Sequence, residues 1–213
     1  MGSDNSSTSY TPLCELGYKY GTDKCPQLKH HYTPFYYQTF NGIKNKVKKV
    51  LELGVGHYRG METNPTTYDP GLNRTYHRGA SLYMWRDFFP NAQIYGMDNR
   101  PETVFEDSRL QTMLVDERDA DQLKSMIAKI GSDIDIVIDD ASHKVDDQIF
   151  AAKTLLPLLK DDVIYAIEDV GFTRKIMAAL NEIGEFEYEI PTIPRKWKAG
   201  MIIVIRKKQH GAG

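Results

Sequence analysis

Two adjacent carboxylates and a histidine follow a strongly hydrophobic stretch in the middle of the chain, within IDIVIDDASH at residues 134–143. The β-branched residues before Asp139 predict a central parallel strand that is covered on both faces. Asp139 and Asp140 then follow the end of this strand. Ligands bind at the carboxyl edge of open α/β sheets, so these acids and His143 indicate chemistry. The alternative is that Asp140 or Ser142 caps the next helix and that His143 is a surface residue.

Strand and helix patterns alternate around this segment. Predicted strands cover 48–53, 92–98, 111–116, 134–140 and 162–169, and predicted helices cover 80–89, 119–130, 144–160 and 171–184. Two final strands, in FEYEIPTI and GMIIVIRK, close the pattern. The alternation predicts a Rossmann-like α/β domain with a mostly parallel sheet of about seven strands and an antiparallel last strand.

We expect a single domain over residues 10–208, because a chain of 213 residues that is 41% hydrophobic can form one sizeable core. The aromatic-rich residues 10–41 predict a cap of two short helices. Residues 57–79 predict an inserted loop that shapes an acceptor pocket at the site edge. The polar residues 1–9 and the Gly-rich residues 209–213 predict disordered tails.

Composition excludes several classes of function. The net charge of −2 and the pI near 6.3 argue against a nucleic-acid partner. Apolar runs stay well below the roughly 18 residues of a membrane span. Cys14 and Cys25 form neither a disulfide framework nor a zinc motif, which predicts a reducing, cytoplasmic setting.

A glycine motif, Glu52-Leu-Gly-Val-Gly56, follows the first predicted strand. Its glycines, Gly54 and Gly56, would let the backbone approach a nucleotide closely. A ribose-binding acid is expected about 20 residues further on, whereas Gly54 and Asp98 are 44 residues apart. Leaving out the 23 residues of 57–79 reduces this separation to 21. The next helix would then begin at Gly79-Ala80-Ser81, with Ser81 as its cap.

Acids also end the first three predicted strands, at Glu52, Asp98 and Asp116. This arrangement suits a cofactor with an amino-acid moiety, a ribose and an adenine better than it suits a pyrophosphate, which Glu52 would repel. The pattern therefore favours S-adenosylmethionine over a nicotinamide dinucleotide.

Several stretches together resemble a known family. LELGVG, GASLYMWRDFFPNAQIYGMD, DIVIDDASH and IYAIEDVG are similar to successive motifs of the metal-dependent sugar O-methyltransferases of macrolide biosynthesis, the mycinamicin and macrocin type. YGTDK and HHYTPFY also resemble the lead-in of that family. The resemblance covers roughly residues 18–170.

The resemblance implies a class I methyltransferase fold, S-adenosylmethionine, a divalent cation and a sugar or glycan acceptor. By position in the motifs it implies metal ligands at Asp140, Glu168 and Asp169, a general base at His143, and cofactor contacts at Glu52, Asp98 and Asp116. We also expect cofactor contacts at Gly54, Gly56, Ser81, Glu117 and Asp139. The chain departs from the pattern at Ala141, at Glu117-Arg118 and at 160–162. These departures leave the adenine contacts and the formation of a homo-oligomer open.

The implied ligands and base have a consistent chemistry. Carboxylate oxygens favour Mg2+ or Mn2+ over zinc. A cation could chelate two neighbouring hydroxyls while His143, with an ordinary pKa near neutrality, takes the proton. Asp139 is the second candidate for the base. His31 and Tyr32 could also reach the site, and the basic loop with Arg195, Lys196, Trp197 and Lys198 either contacts the acceptor or is a solvated hairpin.

Three alternatives to sugar O-methylation stay open. A catechol-like small molecule could use the same metal chelation. A nicotinamide oxidoreductase could use the same sheet, although Glu52 disfavours it. A cofactor-binding protein without catalysis would not need the acid pair and His143.

Overall fold

The computed structural model describes residues 10–56, 66–69, 74–194 and 201–209. Several predictions concern residues outside these ranges, namely the tail at 1–9, most of the insertion at 57–79, the segment 195–200 with Trp197, and residues 210–213. The domain boundaries therefore stay predictions.

The described residues form alternating strands and helices. The helices are α1 Pro12–Tyr20, α2 Tyr32–Phe40, α3 Ala80–Phe88, α4 Ala120–Ile130, α5 Val145–Leu155 and α6 Thr173–Leu180. The strands are β1 Lys49–Leu53, β2 Thr66–Asp69, β3 Arg74–His77, β4 Gln93–Asp98, β5 Glu106–Asp107, β6 Leu110–Leu114, β7 Ile136–Asp139, β8 Ile164–Ile167, β9 Phe186–Glu189 and β10 Ile203–Lys207. Among these helices, none has the length and apolar character that a membrane span requires.

The main sheet has the strand order β5-β6-β4-β1-β7-β8-β10-β9. Strands β6, β4, β1, β7 and β8 run parallel, and β10 runs antiparallel to both β8 and β9. The predicted Rossmann-like sheet with an antiparallel last strand is thus confirmed. Strands β1 and β7 pair at its centre, so their carboxyl ends lie side by side.

Successive side chains of a strand point to opposite faces of the sheet, which explains why β1 and β7 have apolar residues at neighbouring positions. Leu51 and Leu53 of β1 pack with helices α4 and α5 on one face, whereas Val50 packs on the other. All four residues of β7 are buried. A strand that is covered on both faces needs apolar residues at successive positions, as the sequence predicted.

The N-terminal cap lies on the face that α3 covers. Ring centroids of Tyr36 and Trp85 are 5.4 Å apart, and those of Phe40 and Phe89 are 5.8 Å apart. Aromatic pairs at these distances bury large apolar areas and prefer edge or tilted contacts. The cap therefore shares a core with α3 and is fixed to the sheet.

Three local details differ from the sequence-based expectations. The described part of the main sheet has an eighth strand, β5, whose two residues are too short for a periodic signal. Residues within the predicted loop 57–79 form a hairpin of β2 and β3. The cap of α3 is Gly79, with a φ of +70°, and Ser81 lies inside the helix.

Asp135 joins the amino ends of β1 and β7. One of its carboxylate oxygens accepts hydrogen bonds from the backbone amides of Lys48 (2.5 Å) and Lys49 (2.9 Å), and the other pairs with Lys160. Although burial opposes ionisation, the bonds from Lys160 and the two amides lower the pKa of this carboxyl below its usual value of 3.8.

We predict that Asp135→Ala lowers the free energy of unfolding by about 1–3 kcal/mol, because two backbone amides, one of them partly buried, lose their charged acceptor. A carboxyl whose pKa is depressed by folding contributes stability above its unfolded pKa and loses it as the pH falls through its folded pKa. The difference between wild type and variant in urea unfolding should therefore be full at pH 7 and shrink below about pH 4. A difference that stays constant down to pH 2.5 would contradict this role.

Candidate active site

The carboxyl ends of four neighbouring parallel strands bring the predicted acids together. The backbone ladder continues past the strand ends, since the amides of Asp140 and Glu168 donate to the carbonyls of Leu53 (2.9 Å) and Asp139 (2.9 Å). Asp140 and Glu168 are thereby held at the same edge of the sheet. The predicted convergence of the two acidic pairs is present in the structure.

Lys24 lies at the centre of these acids. It is 1% exposed, and its Nζ is 2.5 Å from Asp140 Oδ2, 2.7 Å from Glu168 Oε2 and 3.4 Å from Glu52 Oε1. A buried lysine is costly unless it is paired. Here it supplies positive charge to three carboxylates from three strand ends.

The outer side of the cluster faces His143. Its Nε2 is 2.9 Å from Asp140 Oδ1, and its Nδ1 is 3.6 Å from Asp169 Oδ2. Ligand atoms of Asp140, His143 and Asp169 all lie within 4.8 Å of one another. Two carboxylates and an imidazole at this separation can hold a divalent cation.

Two of these residues, His143 and Asp169, have an unusual backbone conformation that sets the direction of their side chains. His143 has a φ of +57° and Asp169 has a φ of +50°, both in the left-handed region that non-glycine residues rarely adopt. Such conformations cost energy and concentrate at functional sites. The sequence pattern did not predict these two conformations.

Helix α2 contacts the cluster through two tyrosines. The Tyr36 hydroxyl donates to Glu168 Oε1 at 2.8 Å, and the Tyr32 hydroxyl donates to Asp169 Oδ1. The expectation that Tyr32 could reach the site agrees with this contact. His31 is buried beside it and lines a groove of about 540 Å³ together with Phe35, Ile193 and Arg206.

The surroundings shift the pKa values of the central acids. Burial raises the pKa of Glu52 to about 7, against the opposing effect of Lys24. Asp140 is half-buried, which opposes its ionisation, yet Lys24 and His143 hold its pKa well below the usual range. In turn, the hydrogen bond to Asp140 raises the pKa of His143.

A cavity of about 330 Å³ adjoins the cluster on the side of β4. Of the predicted cofactor residues, Gly54, Gly56, Asp98 and Glu117 line it. A Cβ atom at Gly54, where φ is +90°, would lie 2.3 Å from the carbonyl oxygen of Asp140, so only glycine fits there.

Asp98 and Glu117 have defined backbone partners at this cavity. Asp98 accepts hydrogen bonds from the amides of Val55 (3.0 Å) and Arg100 (3.1 Å), so it also holds the glycine turn in place. Glu117 Oε1 accepts from the amide of Ser142 at 3.2 Å. Its buried Oε2 has no hydrogen-bond partner among the described residues and could accept one from a ligand.

The other predicted cofactor residues do not line the cavity. Glu52 is fully buried and accepts hydrogen bonds from Trp85 Nε1 (2.9 Å) and from Ser81. Asp116 pairs with Arg118 at 2.8 Å.

Asp139 is also fully buried, and it accepts a hydrogen bond from Tyr165 at 3.3 Å. Burial raises the pKa of Asp139 to about 8. Contact of this carboxyl with a cofactor or an acceptor hydroxyl stays a prediction.

Sequence reasoning gave Lys24 no role. The residue lies in the YGTDK stretch that carries part of the resemblance, in a segment where the sequence predicted a turn between two short helices. The number of acids predicted at one edge of the sheet could have indicated a basic residue among them, because a buried group of carboxylates requires a nearby cation.

Comparison with known proteins gives the site a context. Two relatives are each 35% identical over 158 residues, which is 74% of this chain. They are the 8-demethyl-8-(2-methoxy-alpha-L-rhamnosyl)-tetracenomycin-C 3'-O-methyltransferase of Streptomyces olivaceus and the mycinamicin VI 2''-O-methyltransferase of Micromonospora griseorubida. The aligned residues are 36% of each relative, so this chain spans little more than a third of their length. No family model matches the sequence.

Solved structures agree with these relatives. The MycE methyltransferase of the mycinamycin biosynthetic pathway, in complex with Mg, SAH and mycinamycin VI, is 25% identical and has a TM-score of 0.71. The match covers 96% of this chain and 57% of that one. Over its aligned residues, this chain therefore belongs to the family of the sugar O-methyltransferases of macrolide and tetracenomycin pathways, as its motifs predicted.

Proposed function

We propose that this chain is an S-adenosylmethionine-dependent and divalent-metal-dependent O-methyltransferase that acts on a sugar hydroxyl of a glycosylated small molecule or glycan. The observation that carries the proposal is the juxtaposition of the glycine-lined cavity with the Asp140, His143 and Asp169 cluster. Relatives whose names specify methylation of glycosylated acceptors support the same activity.

The cavity fits the proposed cofactor. Gly54 and Gly56 present backbone, Asp98 presents a carboxylate at the end of β4, and Glu117 has a free acceptor oxygen. These groups suit the hydroxyls and amino groups of S-adenosylmethionine, and the surrounding negative charge suits its sulfonium. Structures of a relative with SAH support this choice.

The acid cluster fits a divalent cation. Asp140, Glu168 and Asp169 would be its ligands, since each ionised carboxylate has about four lone-pair sites. Glu168 Oε1 can therefore accept from Tyr36 and still bind a cation. Oxygen ligands point to Mg2+ or Mn2+. When bound, the cation would lower the pKa of the acceptor hydroxyl and stabilise the alkoxide that forms from it.

His143 has the position of the general base. Its side chain is 43% exposed, so an acceptor can reach it, and its bond to Asp140 orients the ring. It would take the proton of the hydroxyl as that oxygen attacks the methyl group in line, while the bond from the methyl carbon to sulfur breaks and S-adenosylhomocysteine leaves. We assign the base to His143 rather than to Asp139, whose side chain is fully buried.

The acceptor would approach from the side of α2. The groove that begins at His31 lies next to Tyr32, which contacts Asp169. Polar side chains such as Gln38 and Arg206 share this groove with Phe35 and Ile193, which suits a sugar attached to an apolar group.

The proposal predicts methyl transfer from labelled S-adenosylmethionine to glycosides with neighbouring free hydroxyls. EDTA should abolish the transfer and added Mg2+ or Mn2+ should restore it. The measurement is product mass spectrometry over a panel of glycosides, their aglycones, free deoxysugars and catechol. Methylation of catechol without any glycoside would favour the small-molecule alternative, and full activity in EDTA would remove the metal from the proposal.

We predict that His143→Ala and His143→Gln slow kcat by roughly 10²- to 10⁴-fold, the usual range for a lost general base. Glutamine can still hydrogen-bond Asp140 but cannot act as a base, so it separates orientation from proton transfer. Calorimetry should show nearly unchanged affinities for SAH and Mn2+ in the Gln variant. A Gln variant with wild-type kcat would disprove the assignment of the base.

A further inference from the structure

Lys24 is held by both its backbone and its side chain. Its carbonyl oxygen accepts hydrogen bonds from the amides of Tyr32 (3.0 Å) and Thr33 (3.1 Å), at the start of α2. Its side chain runs into the acid cluster, where it is 2% exposed. One residue therefore fixes both the cap and the strand ends.

The three carboxylates around Lys24 belong to two different half-sites. Glu52 is two residues before Gly54, which lines the cofactor cavity, whereas Asp140 and Glu168 are proposed ligands of the cation. Lys24 binds one oxygen of each ligand carboxylate, namely Asp140 Oδ2 and Glu168 Oε2. The other oxygens, Asp140 Oδ1 and Glu168 Oε1, contact His143 and Tyr36.

In known metal sites, the carboxylates that bind the metal are themselves held by neighbouring residues, and Lys24 holds Asp140 and Glu168 in a similar way. Partners that bind the second oxygen of a ligating carboxylate fix its rotamer and its orientation. A carboxylate that is free to rotate must lose that freedom when the cation binds, which costs affinity. Because Lys24 also contacts Glu52, the same ammonium group connects the cofactor side of the edge to the metal side.

We propose that Lys24 is a positioning residue shared by the two half-sites. It orients Asp140 and Glu168 for the cation, and by pairing with the buried Glu52 it holds the end of β1 that leads into the glycine turn of the cofactor cavity. The inference rests on the proposed function, since it assumes that both ligands bind. It assigns the YGTDK turn a direct part in building the site. Lys24 itself contacts neither the reacting oxygen nor the methyl group.

Lys24 also has an effect that weakens metal binding, because its ammonium group and the metal cation repel each other. Removal of Lys24 would end that repulsion, and on charge alone it would tighten metal binding. However, removal of Lys24 also leaves the fully buried Glu52 and the 1% exposed Glu168 without the ammonium group that pairs with them. Unpaired buried carboxylates rearrange or become neutral, and they then make poor ligands. We therefore expect the loss of orientation and pairing to exceed the relief of repulsion.

The test uses Lys24→Met, which removes the charge and keeps the length of the side chain, with Lys29→Met as matched control. Lys29 lies five residues further along the same segment and pairs with Asp23. Calorimetry should show that Lys24→Met binds Mn2+ 10- to 100-fold more weakly than wild type, and SAH at least fivefold more weakly. Lys29→Met should stay within twofold of wild type for both ligands.

A second measurement covers the case in which Lys24→Met does not fold. Among the described residues Lys24 is the buried lysine, so in wild-type protein with 15Nζ-labelled lysines it should give an ammonium resonance protected from solvent exchange. This resonance should shift when SAH is added and again when Mg2+ is added.

The outcomes separate the inference from the proposed function. Wild type that binds neither Mn2+ nor SAH would overturn the proposed function and the inference together. Wild type that binds both, with a folded Lys24→Met that keeps or gains Mn2+ affinity or loses only one of the two ligands, would overturn the inference alone. A Lys24 ammonium resonance that does not shift on addition of SAH, or does not shift on addition of Mg2+, would also overturn the inference alone.

Discussion

Repulsion between carboxylates at one edge of the sheet is the constraint on which the rest of the structure depends. Parallel pairing of β1, β7 and β8 places Glu52, Asp140 and Glu168 around one point, with Asp169 next to it. Like charges at such distances in a buried setting are strongly unfavourable. The fold therefore requires cations there, and Lys24 supplies one of them.

The N-terminal cap meets this requirement, because it carries Lys24 and the tyrosines that contact the acids. Helix α2 would otherwise be a short helix of marginal stability. It is fixed on one side by the aromatic core with Trp85 and on the other by hydroxyl contacts from Tyr32 and Tyr36 to Asp169 and Glu168. The cap covers the inner side of the acid cluster, where Lys24 and Glu168 are buried, so the residues that stabilise the fold also exclude water from that side. In a shielded site, charges act more strongly on a reacting group.

The sequence predicted those features that depend on local pattern. A hydrophobic stretch before a glycine turn identified β1, and hydrophobic runs identified β7 and β8. Acids at the ends of these runs identified the edge at which the site lies. Contacts between distant residues could not be predicted in this way. Lys24 is separated from Asp140 by 116 positions and from Glu168 by 144, and no periodicity links them. The left-handed conformations of His143 and Asp169 were equally hidden, because neither residue type demands a positive φ.

The most direct test of this account is the position of a cation in a crystal of the protein soaked with Mn2+ and SAH. Anomalous scattering locates manganese without reference to the chemistry that we propose. The account predicts a peak bound by Asp140, Glu168 and Asp169 beside His143, with Lys24 Nζ still on the other oxygens of Asp140 and Glu168. A fully occupied cofactor cavity with no manganese at these carboxylates, or manganese in the place of the Lys24 ammonium, would contradict it.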